Sequence, residues 1–415
     1  MRSISETFNP RRNSLNFLRL VLASVVVITH ALPLAAYLVI GGINGTGFGE
    51  IAVYGFFGIS GYLIAGSALR NHAGRYLWQR FLRIFPAFWV CLTVTAFVFG
   101  VIAWLHHPVV AHCDISCYFS ARTDSPYAYI YRNLLLTIHQ HSIAGTPTGS
   151  LIPYEWNGSL WSLYYEFLCY LILMGLAIVG LLRRRWAILI GTVLLWTAVA
   201  VITFTPSFDS QFNLFHNYTA FNILKLTGVF MVGAVIYLYR ERIPDSGWVA
   251  LACTASLVAC LYWPTGGRSP SFTFTASDLL APLIAYPLLW LGIHLPFHRV
   301  GQKNDYSYGM YIYGFPVAQL LIIWGVEHWG PIPYTVMTML CTTLLAMASW
   351  WGIETHALRL KSLRLRSPAD RAPTAVDTQF LMGSAMPHDR VSRSLPNESR
   401  QIDSDLPPMT GPTST

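Results

Sequence analysis

The sequence predicts an all-α fold, a polytopic membrane bundle of about ten transmembrane helices, and three observations carry that prediction. Charged residues are 11% of the 415-residue chain and apolar residues 54%. Soluble domains are about a quarter charged, so this chain cannot cover a water-facing surface, whereas a lipid-facing one needs no charge. Apolar runs of about 20 residues recur, each long enough to cross a hydrocarbon core of roughly 30 Å as a helix. Lipid offers the backbone no partners, so such runs close their hydrogen bonds internally and are helices rather than strands. Lys and Arg, finally, gather in alternate connecting segments, as they do when helices thread back and forth.

Taken in order, the spans fall at 15–38, 51–69, 83–105, 159–182, 186–204, 221–239, 247–264, 277–296, 307–326 and 333–355. Basic residues near span ends stay cytoplasmic. With the N-terminus inside, the inner segments hold Arg2, Arg11 and Arg12; Arg70, Arg75, Arg80 and Arg83; and Arg183, Arg184 and Arg185. Further along they hold Arg240, Arg242, Arg299, Lys303, Arg359, Lys361, Arg364 and Arg366. The outer loops hold only Arg122, Arg132 and Arg268. The net charge of +8 is therefore a topology signal and not a nucleic-acid footprint. Both termini are expected in the cytoplasm.

The chain divides into a cytoplasmic N-terminal segment 1–13, a membrane core 14–360 and a disordered cytoplasmic tail 361–415. The tail is rich in Pro, Ser, Thr, Asp and Arg without periodicity and lacks the apolar surface for a core. Residues 1–36 admit a second reading, as a cleaved signal peptide; Arg19 in the apolar stretch and Glu6 before it count against that. The longest outer loop, 106–158, carries Cys113 and Cys117, which form either a local disulfide or two unlinked thiols. With His106, His107 and His112 a metal site can be drawn there, but the spacing matches no standard zinc pattern and none is assigned. Cys91, Cys169, Cys253, Cys260 and Cys341 lie in spans as small apolar packing residues.

Ionisable side chains inside spans are costly, so each is a functional candidate. Arg19 and His30 share nearly one face of the first span, about 16 Å apart along its axis. Arg19 lies near the cytoplasmic mouth and His30 beyond the midplane. The plainer reading is a snorkelling arginine and a hydrogen-bonded buried histidine. The fourth span starts outside and places Glu166 roughly two turns in, the depth of His30, with Ser162 on the same face. A carboxylate and an imidazole at equal depth could form the orienter–base pair that activates a hydroxyl; a packing role for Glu166 is the alternative. Arg80 and Arg83 are three apart, neighbours on one helical face, and suit bidentate binding of phosphates or simple anchoring. Gly55, Gly58, Gly61 and Gly66 form a small-residue face for close helix approach. Lys225 has no assigned role beyond snorkelling inward.

Together these segments resemble the acyltransferase 3 family of integral membrane acyltransferases, which modify surface sugars and lipids. The resemblance rests on Arg19 with His30, on Phe56-Phe57-Gly58-Ile59-Ser60-Gly61-Tyr62-Leu63-Ile64, and on Arg80-x-x-Arg83-Ile84-x-Pro86. It continues through Trp161-Ser162-Leu163-x-x-Glu166, Tyr306-Ser307-Tyr308-Gly309-Met310-Tyr311-Ile312-Tyr313 and Ile353-Glu354, in the family's order over roughly residues 14–360. One departure is Gly314, where many members carry a histidine two residues before the proline of the ninth span. No appended extracytoplasmic hydrolase-like domain is expected.

The resemblance implies transfer of an acyl group, commonly acetyl, from cytoplasmic acyl-coenzyme A to a hydroxyl of a glycan or glycolipid. The setting it implies is a bacterial cytoplasmic membrane. Acyl-coenzyme A would be a donor substrate, with no permanently bound cofactor. Partners would be membrane lipid, the acceptor and polysaccharide-assembly proteins. Arg19, Arg80 and Arg83 are then expected to hold the coenzyme's phosphates. His30 would act as general base or carry the acyl group, Glu166 would orient it, and Ser60, Trp161 and Ser162 would meet substrate. A transporter of a glycan precursor or proton-coupled solute is the second function class. The spans show no inverted repeat or paired broken helices to support it. A silent scaffold for an envelope complex is the third.

Overall fold

A computed structural model describes residues 2–37, 42–43, 46–106, 114–204, 218–261, 279 and 281–362. Met1–Leu365 form one compact unit; Arg366–Thr415, most of the expected tail, lie outside the described residues. The unit is helical: α1 (Ile4–Thr7), α2 (Leu15–Leu34), α3 (Phe48–Arg70), α4 (Ala73–Val94), α5 (Gly100–His106), α6 (Ile115–Ser120), α7 (Pro126–Asn133) and α8 (Ser162–Ile178). Then follow α9 (Arg185–Phe204), α10 (Tyr218–Leu238), α11 (Gly247–Leu261), α12 (Ala285–His294), α13 (Ser307–Ile323), α14 (Pro331–Ser349) and α15 (Thr355–Arg359). Strand pairing among the described residues is confined to a two-residue hairpin, Gly42–Ile43 with Thr46–Gly47, and two isolated bridges.

Apolar helices stand at all ten expected span positions. Four of them, Leu15–Leu34, Phe48–Arg70, Ala73–His106 and Pro331–Arg359, are long and apolar enough to cross a membrane. The other six are shorter apolar helices. The third is continuous from α4 to α5 through a π turn at Thr95–Phe99. Such a turn frees a carbonyl, and here the Tyr118 hydroxyl, brought over by α6, donates to that of Ala96.

α13 is buried along its whole length and forms the axis of the bundle. It packs on α2 and α14, and α2 packs in turn on α3. The outer helices show the inverse of a soluble surface. Trp186, Ile190, Val193 and Leu194 on α9 are exposed, as are Ile332, Val336, Leu340 and Leu344 on α14. The α14 set recurs every four residues, one continuous stripe, and exposed apolar faces this extensive are those of an integral membrane protein.

The glycine face of α3 is spent on packing. A Cβ at Gly61 would fall on the Phe230 carbonyl of α10, and one at Gly233 on the Gly58 carbonyl. Gly58 meets Ala285 at the start of α12, and Gly66 meets Tyr237. Lys225 of α10 does not snorkel: its side chain is 4% exposed and bonds the Glu50 carboxylate at the start of α3. The Tyr54 hydroxyl donates to the same carboxylate at 2.7 Å. Burial forces this pairing, since a lone ammonium away from water would be far costlier.

Backbone ties fix the two ends of the bundle. At one, here the basic end, Ile4 and Ser5 N–H groups donate to Ile243 and Arg240 carbonyls, and Ser14 donates to Gly292. The N-terminal segment is thus folded under the bundle. At the other, the loop end, Leu151 N–H donates to the Leu34 carbonyl. Gln319 of α13 donates to the carbonyls of Ile152 and Glu155 at 3.0 and 2.9 Å. Cys117 is disulfide-bonded, while His107, His112 and Cys113 lie outside the described residues. Cys91, Cys169, Cys253 and Cys341 are free thiols among the packed helices.

Candidate active site

At the basic end the first and third apolar helices meet through a carboxylate that sequence reasoning missed. Asp305 Oδ2 accepts from Arg19 Nη1 at 2.8 Å and from Arg83 Nη2 at 2.6 Å. Its Oδ1 accepts from the Ser307 hydroxyl at 2.5 Å, which sets it at the opening of α13. Arg83 also reaches Glu354 at 3.5 Å and lies over the Tyr308 ring, 5.7 Å from its centroid. Burial alone would raise the Asp305 carboxyl; the Arg19 and Arg83 guanidiniums outweigh it and hold the group below the ordinary carboxylate range.

Lys361, which the sequence offers only as a topology marker, adds to this cluster. Burial, then the charges of Arg83 and Arg80, bring its ammonium down to about 8, with Asp305 pulling the other way. Arg19, Arg83 and Lys361 therefore gather about Asp305, Arg83 also reaches Glu354, and Arg80 lies within electrostatic reach of Lys361. Lone acids among basic residues at a span opening are the signal that could have pointed to Asp305.

Arg80 faces a different neighbour from Arg83. Its guanidinium lies 5.9 Å from the Tyr170 ring centroid, and its Nε is buried without a partner. The Tyr170 hydroxyl donates to Glu166 Oε1 at 2.5 Å, and the Ser60 hydroxyl donates to the same oxygen at 3.2 Å. Ser60, Glu166 and Tyr170 thus form a chain that leads from α3 across α8 toward Arg80.

His30 stands apart from that chain. Its Nδ1 lies 2.8 Å from the Val26 carbonyl, one turn back on α2. A carbonyl only accepts, so Nδ1 carries the proton and Nε2 of the neutral ring keeps its lone pair. The ring packs edge-on to Phe315 of α13 at 5.7 Å. Gly49 closes another side: a Cβ there would clash with Thr29 and come 3.7 Å from His30 Cε1. Among the described residues, Glu155 from the loop before α8 lies within electrostatic reach of His30.

The expected contact between His30 and Glu166 is therefore not made, because Glu166 is turned toward Ser60 and Tyr170. Helix rise, from which the pairing was expected, does not say how α8 is turned about its axis. Ser162 is buried, and its hydroxyl bonds that of Tyr311 at 2.6 Å, which itself donates to the Ser159 carbonyl. Trp161 packs edge-on to Tyr165 at 5.8 Å. Ser162 thus holds α8 to α13, and Ser60 is committed to Glu166.

An O-acetyl transferase of Shigella phage Sf6 is 29% identical over 371 residues, 86% of this chain and 98% of that protein. Nodulation protein 10 of Rhizobium leguminosarum bv. viciae is 28% identical over 381 residues, 86% of this chain and 96% of its own length. No solved structure matches. The acyltransferase domain family matches residues 12–351, a stretch that takes in Arg19, His30, Arg83, Glu166 and Asp305, and the chain belongs to that acyltransferase 3 family.

Proposed function

We propose that the protein is an O-acyltransferase of the bacterial cytoplasmic membrane, with both termini inside. It takes an acetyl group from cytoplasmic acetyl-coenzyme A and passes it to a hydroxyl of a surface glycan or glycolipid. The observation that carries the reading is the arrangement on α2. Arg19 stands in a cation-rich cluster at the basic end, and His30, about 16 Å further along, presents an unprotonated Nε2. The name of the Shigella phage relative supports acetyl as the group transferred.

In this reading Arg19, Arg80, Arg83 and Lys361 bind the coenzyme's phosphates, for which guanidiniums are well shaped. The thioester arm extends along the bundle past Glu166, whose second oxygen makes no hydrogen bond. His30 Nε2 takes the proton of the acceptor hydroxyl as its oxygen attacks the thioester carbonyl. The carbon–sulfur bond then breaks, and the coenzyme thiolate leaves and takes up a proton.

Membranes given radiolabelled acetyl-coenzyme A and surface glycan, freed of its esters by mild alkali, test the reading. Label should enter the glycan, and His30→Ala should abolish it at equal protein level. Full labelling by that variant would remove His30 from catalysis. No label with solute flux would favour a transporter instead. Arg83→Gln should raise the apparent KM for acetyl-coenzyme A; an unchanged value would reduce Arg83 to an anchor.

A further inference from the structure

The loop end of the bundle holds an acid–imidazole pair that the reaction above leaves unused. Glu155 Oε1 and His141 Nδ1 are 3.1 Å apart. Glu155 is 28% exposed and His141 51%, so the pair is open to solvent where His30 is half-buried. Its place is fixed from both sides. Trp156 N–H donates to the His141 carbonyl at 3.1 Å, and buried Gln319 holds the Glu155 carbonyl. Gln319 is one turn beyond Phe315 on the same face of α13, and Phe315 is the ring that packs against His30.

Gly158 locates the carboxylate more closely. A Cβ there would sit 2.7 Å from the Phe315 ring and 3.1 Å from Glu155 Oε1. Glu155 and Phe315 therefore flank Gly158, and the Phe315 ring is the one that His30 packs against. The hydrogen bond that His141 donates to Glu155, ahead of burial, raises the His141 imidazole above its ordinary value, which favours a charged pair. In that state Glu155 Oε2 is a free acceptor, and the second His141 nitrogen is a free donor.

We propose that Glu155 and His141 form the acceptor subsite, binding the hydroxyls of a sugar so that one of them meets His30 Nε2. An acceptor and a donor side by side match a vicinal diol, in which one hydroxyl donates while its neighbour accepts. The assignment rests on the acyltransferase reading, since without transfer there is no acceptor to place. It puts a carboxylate beside His30, as the sequence does, but takes it from the loop and not from α8.

Steady-state kinetics with radiolabelled acetyl-coenzyme A and alkali-treated surface glycan test it. Hydrogen bonds to charged groups imply that Glu155→Gln raises the apparent KM for glycan about tenfold or more. The KM for acetyl-coenzyme A should stay within about twofold, and Glu155→Asp should recover part of the loss. His141→Gln should shift the glycan KM in the same direction and provides a second route should Glu155→Gln not accumulate. An unchanged glycan KM in both variants overturns the subsite. So does a fall in kcat with both KM values unmoved, which marks a purely structural pair. Absence of label with the wild-type protein overturns the transferase reading itself, and the subsite with it.

Discussion

Asp305 joins Arg19 and Arg83 through a single carboxylate oxygen, so its loss strands the Arg19 guanidinium and leaves Arg83 with Glu354 alone. Removing one partner of a buried pair costs about 3 kcal/mol, and Asp305→Asn should lower the unfolding temperature in detergent accordingly. The pH dependence has a definite sign. The folded carboxyl lies below its unfolded value, so its stabilisation is complete above about pH 4 and is lost as pH falls through the folded value. The wild type should therefore show an acid limb that Asp305→Asn lacks.

Lys361 runs the opposite way. Its folded value of about 8 lies beneath the unfolded value near 10.4. The charged ammonium therefore costs stability, and that cost fades as pH rises through this window. A bound polyanion favours the ammonium again. Binding of coenzyme A near pH 9 should then take up protons, measured by calorimetry in buffers of different ionisation enthalpy. Lys361→Met should abolish the uptake, and equal uptake in the variant would take Lys361 out of the anion site.

Among the elements, the α3–α10 contact is the least tolerant of change. Gly61 faces the Phe230 backbone, which cannot rotate aside as a side chain can. Overpacking of this kind costs roughly 1–3 kcal/mol, so Gly61→Ala should unfold earlier in detergent. Gly175, with open space around it, should accept alanine without that loss. The glycine face of α3 was legible from spacing, as were the ten apolar helices and the vertical order of Arg19 and His30. Periodicity assigns residues to a face of their own helix but does not say how that helix is turned toward its neighbours. For that reason Glu166 was given to His30 and is found with Ser60 and Tyr170. Glu155 lay beyond reach for a different cause: its loop has no period, and hydrogen bonds from α13 position it. Lys225 looked unpartnered because Glu50 lies 175 residues earlier.

For the whole molecule, surface and interior have exchanged roles relative to a soluble protein. The Ile332, Val336, Leu340 and Leu344 stripe is exposed, while Lys225, Glu354 and the length of α13 are buried. Leu340→Lys should hinder membrane integration, since a lysine at a span centre costs about 2.5–3.5 kcal/mol on insertion scales. The fraction of chain resistant to carbonate extraction measures this. Lysine at exposed Leu151 in the loop before α8 should leave that fraction unchanged.

The seam between α3 and α10 also bears on the order in which the protein can be made. α3 leaves the ribosome with Gly61 and Gly66 bare and Glu50 without a cation, and these needs are met by α10. In chain order five apolar helices, α3 among them, come before α10. A nascent chain halted before α10 therefore carries an unneutralised acid at the membrane and an open groove beside it. The seam between α3 and α10 is therefore closed only once the sixth apolar helix has been made.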